Sequence, residues 1–318
     1  MKQIQKKNLA ELQTVVENLL ESAHAPNTRL AYKKQFEAFV QWCEKFELCP
    51  LPATEKTIVF YVGYLSEYKK YSTIRQALTA ISKAHRLASY PDPVKNEMAK
   101  MAISGVARTK GKSPIQKRPI TLDILSKMID VNSFDKMETE EEKATWYRDT
   151  ALICVGFSCA LRRSEICNLQ LEDIETKKQG TVVHLKKSKT DQLMEGRFIG
   201  IPKSFFAAEY LFNWISFLLI NNIESGFLFR SINNRIIGNS LSPHGVSYIV
   251  KKLVKRAGYD PREFSSHSLR AGLATTASEI GISPIEIQKH TGHASVESLS
   301  KYVRKHDLFS SNILDSIL

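Results

Sequence analysis

The sequence predicts a mainly α fold with a small β-hairpin or sheet (class α+β), divided into two domains. Three observations predict it. The chain has 318 residues, and at roughly 100–200 residues per domain two domains are the natural expectation. Apolar residues recur at helical spacing over most of its length. Only residues 181–185 and 197–201 alternate in the manner of paired strands.

Composition narrows the class. Apolar residues make up 43% and charged residues 25% of the chain, with both signs spread throughout, so packed cores are expected and not disorder. The net charge is +12, a surplus that favours a polyanionic partner because each Lys or Arg set on a phosphate releases condensed counterions. The five cysteines (Cys43, Cys49, Cys154, Cys159 and Cys167) form no C-x-x-C pair, which argues against a zinc site and against a secreted disulfide framework. Buried, reduced thiols are expected. The opening MKQIQKKNLAELQTVV lacks an uninterrupted apolar run and reads as an amphipathic helix, not a signal peptide. The most apolar stretch, residues 210–220, contains Asn213 and Ser216 and is too short to span a bilayer, so a soluble, intracellular protein is expected.

Residues 1–106 read as an all-helical domain. Tyr32, Phe36, Phe39, Val40, Cys43 and Phe46 line one helix behind an Asn27-Thr28 start signal. A second helix follows Thr54, with Ile58, Val59, Val62 and Leu65. A third runs from Ser72, with Ile74, Ala77, Leu78, Ile81, Ala84 and Leu87 on one face and Arg75, Lys83, His85 and Arg86 among its other positions. Pro91 and Pro93 close it. Residues 1–112 hold 18 Lys or Arg against 10 Asp or Glu, whereas the remaining 206 hold 27 against 23, so most of the surplus lies in the smaller part. Residues 107–118, ARTKGKSPIQKR, carry five basic residues and no acid and read as an exposed basic linker. Arg75, Lys83, Arg86, Arg108, Lys110 and Lys112 are the candidate phosphate contacts, with the third helix the candidate groove reader.

Residues 119–318 form the second domain, with helices near 121–131 and 141–158, then the hairpin, then mainly helix. Its end, about 306–318, places Leu308, Phe309, Ile313, Leu314, Ile317 and Leu318 on one stripe of a short tail helix. Such a stripe packs either on its own domain or on a neighbouring subunit.

Three short segments carry chemistry. In His267-Ser268-Leu269-Arg270, an imidazole and a guanidinium three residues apart share a helix face. In Thr291-Gly292-His293, the glycine suits a helix end, and Tyr302 follows nine residues after the histidine. In Leu161-Arg162-Arg163-Ser164-Glu165, Arg162 stands at the end of an apolar run, where it needs a partner or a cleft, and Glu165 is one turn away to hold it. Singly each is weak, since a surface ion pair or a packed ring explains it equally well.

In order, L-R-x-S-E, a basic hairpin, H-x-L-R, T-G-H and Tyr resemble the tyrosine recombinase family, which includes phage integrases, Xer-type recombinases and integron integrases. HSLRAGLATTASEIGISPIEIQKHTGHASVESLSKYVR is similar to its C-terminal motif almost without interruption. The resemblance covers residues from about 120 to 318, and covers the N-terminal part only as a generic helical core-binding, DNA-gripping domain. It implies that Tyr302 is the nucleophile, that Arg162 and Arg270 grip the scissile phosphate, and that His293 and His267 fill the family's His/Trp and His/Lys positions. Lys189 falls where the family places a lysine on a β-hairpin, with Lys186 and Lys187 as near rivals, and Glu165 matches a supporting acid. Where members often have Thr-Gly before Leu-Arg, this chain has Cys159-Ala160.

The resemblance also implies double-stranded DNA as partner, a tetramer on DNA linked by the C-terminal tail, no metal or other cofactor, and a place at the nucleoid of a prokaryote or in a eukaryotic nucleus. The chemistry stands beside it. Phosphoryl transfer concentrates negative charge on equatorial oxygens, which planar guanidinium groups meet two at a time. A phenol with a pKa near 10 needs a base or a positive field to attack at neutral pH; His267 is the candidate acceptor of its proton and Lys189 the candidate acid for the departing 5′-oxygen. A type IB topoisomerase-like enzyme would share this chemistry, and a DNA-binding relative without catalysis would share the fold. The long basic N-terminal part and the apolar tail favour a strand-exchanging recombinase.

Overall fold

The computed structural model describes residues 26–111, 116–131, 134–186, 196–234, 236–297 and 299, and the chain divides between Ile115 and Gln116 into two units. The first contains α1 (Pro26–Lys45), α2 (Glu55–Tyr68), α3 (Tyr71–Leu87) and α4 (Glu97–Lys110). The Thr54 hydroxyl caps α2 by accepting from the Thr57 amide at 3.2 Å, and the Asn96 side chain caps α4 by accepting from Met98 at 2.7 Å. Helix α1 packs on α3, and α2 on α4. Their core joins Phe39, Trp42 and Cys43 to Ile58, Tyr61, Leu65, Ile74, Leu78, Ile81 and Ile103. The rings of Phe39 and Trp42 each lie 4.9 Å from that of Tyr61.

Some expectations for this unit change. Phe46 lies beyond the end of α1 and is exposed, and Trp42 takes its place in the core. His85 is fully buried and not on the polar face of α3: its Nε2 accepts from the Ala53 amide at 2.8 Å, so its Nδ1–H donates to the Ile81 carbonyl at 2.9 Å. Helix α4 runs on to Lys110, because Val106 and Ala107 are buried on its apolar face, so the first residues of the expected linker are helical. Cys49 is exposed, whereas the other four thiols are buried.

The second unit contains α5 (Leu122–Asp130), α6 (Glu140–Ser158), α7 (Arg163–Asn168), β1 (Ile174–Lys177), β2 (Gly180–Leu185), β3 (Arg197–Pro202), α8 (Phe206–Ile220), β4 (Ile232–Asn233), β5 (Ile236–Ile237), α9 (Pro243–Arg256), α10 (His267–Glu279) and α11 (Pro284–Thr291). Helix α6 is its spine. Thr139 and Glu142 close a reciprocal cap at its start, three glutamates fill its first turn, and every residue from Arg148 to Ser158 is buried. The charges this buries are paired: Asp149 receives Arg148 at 2.7 Å and Lys252 at 2.5 Å. Helices α8 and α10 pack against α6.

Strands β2 and β3 pair antiparallel with Thr181 opposite Ile201 and Leu185 opposite Arg197, the hairpin that the alternation predicts. That register turns Val183, Leu185, Ile199 and Ile201 into the core. Strand β1 adds a third member on the other side of β2 that the sequence does not signal, since it has no buried residue. No helix among the described residues is long and apolar enough to cross a membrane.

The entry of the chain into this unit is pinned on α10. Ile120 is fully buried, and its amide donates to the Ser268 carbonyl at 2.9 Å. Gly272 permits the approach, because a Cβ there would collide with the Ile120 backbone. Gly272→Ala should therefore lower stability by about 1–3 kcal/mol through overpacking. Gly63→Ala, inside α2 with open space around it, should raise it by roughly 0.5–1 kcal/mol through helix propensity. Thermal or urea unfolding checks both; equal effects would remove the steric argument.

Candidate active site

Helix α6 ends in a tight reversal. Ala160 has φ +49°, in the left-handed region that glycine occupies freely, and this turn delivers Arg162 to the N-cap of α7. Glu165, buried one turn on, accepts from the Arg162 backbone amide at 2.8 Å and from its Nη1 at 2.7 Å. The carboxylate thus fixes both the turn and the guanidinium, the pairing expected from the sequence. Arg163 instead is exposed and lies 3.4 Å from the Ser247 hydroxyl.

Helix α10 begins at His267, so Arg270 stands one turn further on the same side. Arg270 is 1% exposed, and its Nη1 donates to the carbonyls of Ala160 at 2.8 Å and Thr291 at 2.6 Å. Its Nε points at the His293 Nε2, 3.4 Å away. Helix α11 is capped at its start by Ser283 and Glu286 and ends at Gly292, in the left-handed conformation with φ 66° and ψ 44°. The glycine is required twice, since a Cβ there would also run into the Arg197 guanidinium.

Three successive carbonyls at the end of α11 each receive a different arginine. His290 accepts from Arg197 Nη1 at 2.7 Å, Thr291 from Arg270 Nη1 at 2.6 Å and Gly292 from Arg162 Nη2 at 3.2 Å. Carbonyls at a helix C-terminus lack intrahelical partners and form the negative pole of the macrodipole, so they suit cations. The His290 ring donates through Nε2 to the Ser158 carbonyl at 2.8 Å and ties α11 to the end of α6.

The crowd of positive charge is visible in the imidazoles. Burial first, then Arg270, Arg162, His267 and Arg197, push the His293 pKa down to about 3. His267 opens to solvent, yet the surrounding walls of the site and then Arg270 and Arg162 hold its pKa below the usual value. Both rings are neutral near pH 7. Among the described residues Glu165 pairs with Arg162, and the gathered guanidinium groups give the site a positive field that suits a tetrahedral oxyanion.

Four of the residues singled out in the sequence therefore meet: Arg162, His267, Arg270 and His293, with Glu165 behind them. Tyr302, Lys189, Lys112 and the tail at about 306–318 lie outside the described residues. Lys186, a rival to Lys189, is held at the base of the hairpin by Asp173 at 2.5 Å. In the first unit Arg75, Arg86, Arg108 and Lys110 are exposed, and Lys83 sits over the Tyr32 ring at 5.4 Å. Tyr248 is exposed on α9.

Sequence reasoning missed Arg197, which it treated only as the start of a returning strand. Its guanidinium is largely withdrawn from solvent, and burial lowers its pKa below the usual arginine value. Its Nη2 is buried without a hydrogen-bond partner among the described residues. Among the described residues no cluster of three or more His, Cys, Asp or Glu could hold a metal ion.

Comparison with known proteins agrees with this geometry. Residues 129–308 match the phage integrase family. An integrase/recombinase xerD homolog of Selenomonas ruminantium is 35% identical over 305 residues, covering 93% of this chain and 86% of that protein. The tyrosine recombinase XerA of Pyrococcus horikoshii is 28% identical over 257 residues, covering 79% and 84%. Among solved structures, the Tn1549 transposon integrase in complex with transposon right end DNA has the same fold, with a TM-score of 0.67 at 17% identity over 92% of this chain and 94% of that one. So does the XerH site-specific recombinase bound to its palindromic difH substrate, with a TM-score of 0.61 at 18% identity over 83% and 71%. Fold and site define the catalytic unit of a recombinase. The chain belongs to the phage integrase family, the tyrosine recombinases.

The depressed His293 pKa has a consequence for stability. Between pH 6.5 and about 3 the unfolded chain binds a proton that the folded site refuses, so folded-state stability from this group is full above pH 6.5 and declines as pH falls through that window. His293→Asn should flatten the dependence. Urea unfolding at pH 7.5 and pH 5 measures it, and a slope unchanged by the substitution would show that His293 does not carry the effect.

Proposed function

We propose that this protein cleaves and rejoins double-stranded DNA at specific sites through a 3′-phosphotyrosyl intermediate, with no metal or ATP in the reaction. The observation that carries the reading is the meeting of Arg162, Arg270, His267 and His293, drawn from three distant segments, at the end of α11, with Tyr302 following nine residues after His293. Arg162 and Arg270 bind the non-bridging oxygens of the scissile phosphate. Tyr302 Oη attacks phosphorus, its proton passes to His267, and the bond from phosphorus to the 5′-oxygen breaks as Lys189 protonates that oxygen. The ester keeps the energy of the bond it replaces, so attack by a 5′-hydroxyl reverses each step and rejoins a strand. Preorganised charge of this kind is the dominant catalytic contribution, and one lost donor typically costs about 10²–10³ in rate.

Arg75, Lys83, Arg86, Arg108, Lys110 and Lys112 supply phosphate contacts from the N-terminal part, which holds most of the charge surplus. Double-stranded DNA as partner is supported by relatives of the same fold whose structures include transposon or difH DNA. The tail at about 306–318 docks on a neighbouring subunit and links four protomers on DNA.

A nicked suicide substrate tests the chemistry, since the cut fragment diffuses away and traps the adduct. The wild-type protein should shift on a denaturing gel and Tyr302→Phe should not; an adduct that persists in Tyr302→Phe would overturn the nucleophile assignment. Deleting residues 308–318 should weaken pairing of two sites while sparing cleavage of one. Equal loss of both would place the tail on its own domain instead.

A further inference from the structure

His293 has two ring nitrogens in defined company, and the company decides where its proton sits. Nδ1 lies 2.6 Å from the Thr291 hydroxyl. Thr291 is fully buried, and its single hydroxyl proton is already given to the Ile287 carbonyl one turn back, at 2.6 Å. Facing Nδ1, the hydroxyl oxygen can only accept, so Nδ1 must carry the ring proton. The other end of the ring agrees, through a longer and weaker contact that does not hold the tautomer by itself. Nε2 faces the Nε–H of Arg270 at 3.4 Å, and a guanidinium has donors and no acceptor. A proton on Nε2 would set two donors against each other.

We propose that Thr291 is a positioning residue that fixes His293 as its Nδ1–H tautomer and leaves Nε2 as a bare acceptor, so that the ring holds a phosphate oxygen only after Nε2 takes up a proton from solvent. This rests on the phosphate-binding reading of the site and deepens it. The hydroxyl relays its hold into α11, whose C-terminal turn is also gripped by the three arginines, so ring orientation and guanidinium placement share one anchor. Among the described residues, the charged or titratable groups that face His293 are Arg270 and His267 from α10, Arg162 from the start of α7 and Arg197 from β3, all cationic or neutral. In the free protein they oppose protonation. An anion among them cancels that opposition: one N–H bond forms on Nε2 with a proton from the bulk, and the imidazolium then donates to the oxygen through Nε2 while Nδ1–H stays on Thr291. The ring thereby senses whether an anion is in place.

The test is ¹⁵N NMR of the full chain labelled at histidine, with His293 assigned by substitution. The wild-type protein and Thr291→Ser, which keeps the hydroxyl, should show Nδ1–H at pH 7; Thr291→Val, which keeps the volume, should lose that tautomer. An Nε2–H signal in wild type, or an unchanged tautomer in Thr291→Val, overturns the proposal. Sulfate does not titrate near neutrality and serves as the anion probe. Its addition should move the His293 titration upward by about 1–3 pH units, and no movement would also overturn the proposal. Cleavage of the suicide substrate should slow about tenfold or more in Thr291→Val, as for other residues that orient a functional imidazole, and recover in Thr291→Ser. A Thr291→Val protein that melts like wild type yet cleaves at the wild-type rate counts against it. If the wild-type protein cleaves nothing, the proposed function fails while the tautomer result stands on its own.

Discussion

The end of one short helix organises the site. The last carbonyls of α11 have no amides left to accept from, and Arg197, Arg270 and Arg162 satisfy them in sequence order. Like charges do not gather by themselves, and at close range in a partly dry site their repulsion is severe. The negative pole of the helix and the Glu165 carboxylate offset it. Each arginine donates to a backbone carbonyl of α11 and keeps its charge, so the scaffold holds the cations without neutralising them. A guanidinium, with five donors in a rigid fork, is suited to this double duty.

The rest of the unit serves that arrangement. Helix α6 is buried throughout its second half and delivers a rigid end to the site, where the Ala160 turn presents both a carbonyl to Arg270 and the backbone leading to Arg162. Helix α10 is fixed by Ile120 through the gap that Gly272 leaves. Helix α11 is tied back to α6 by His290. The hairpin contributes Arg197 from the first residue of β3, which follows Lys189 in the sequence. Four elements distant in sequence therefore converge through contacts that are mostly backbone carbonyl to arginine, and these depend on helix placement more than on neighbouring side chains.

What could be read in the sequence follows from this. The caps at Thr54 and Gly292, the strand pairing and the Arg162–Glu165 pair are local, each decided within a few residues, and they were legible. So was the co-location of His267 and Arg270, which share one helix turn. Arg197, the burial of His85 and the Thr291 hydroxyl were not legible, because each acquires its partner from a segment brought near only by folding, or from a hydroxyl whose direction is set by the helix carbonyl behind it. Strand β1 escaped notice because Ile174 alone is partly covered and the rest of the strand is exposed, so it carries no alternation. The basic run after Val106 reads as a linker by its charge, yet its first residues are helical because Val106 and Ala107 continue the apolar face of α4. The order of the motifs carried the family; tertiary approach carried the fine geometry.

The choice of arginine over lysine at position 270 follows from the same balance. The side chain is 1% exposed among other cations, where desolvation and like charge both favour loss of a proton. An ammonium there would titrate downward and fall neutral, as the two nearby imidazoles do. A guanidinium keeps its charge because its pKa in water is above 12. The site can therefore hold two kinds of group at once under one field: arginines that stay charged whether or not an anion is present and, in the proposed reading, a histidine, His293, that stays neutral until one arrives. That division of labour requires the arginines to be fixed first, and the carbonyls of α11 fix them before any substrate enters.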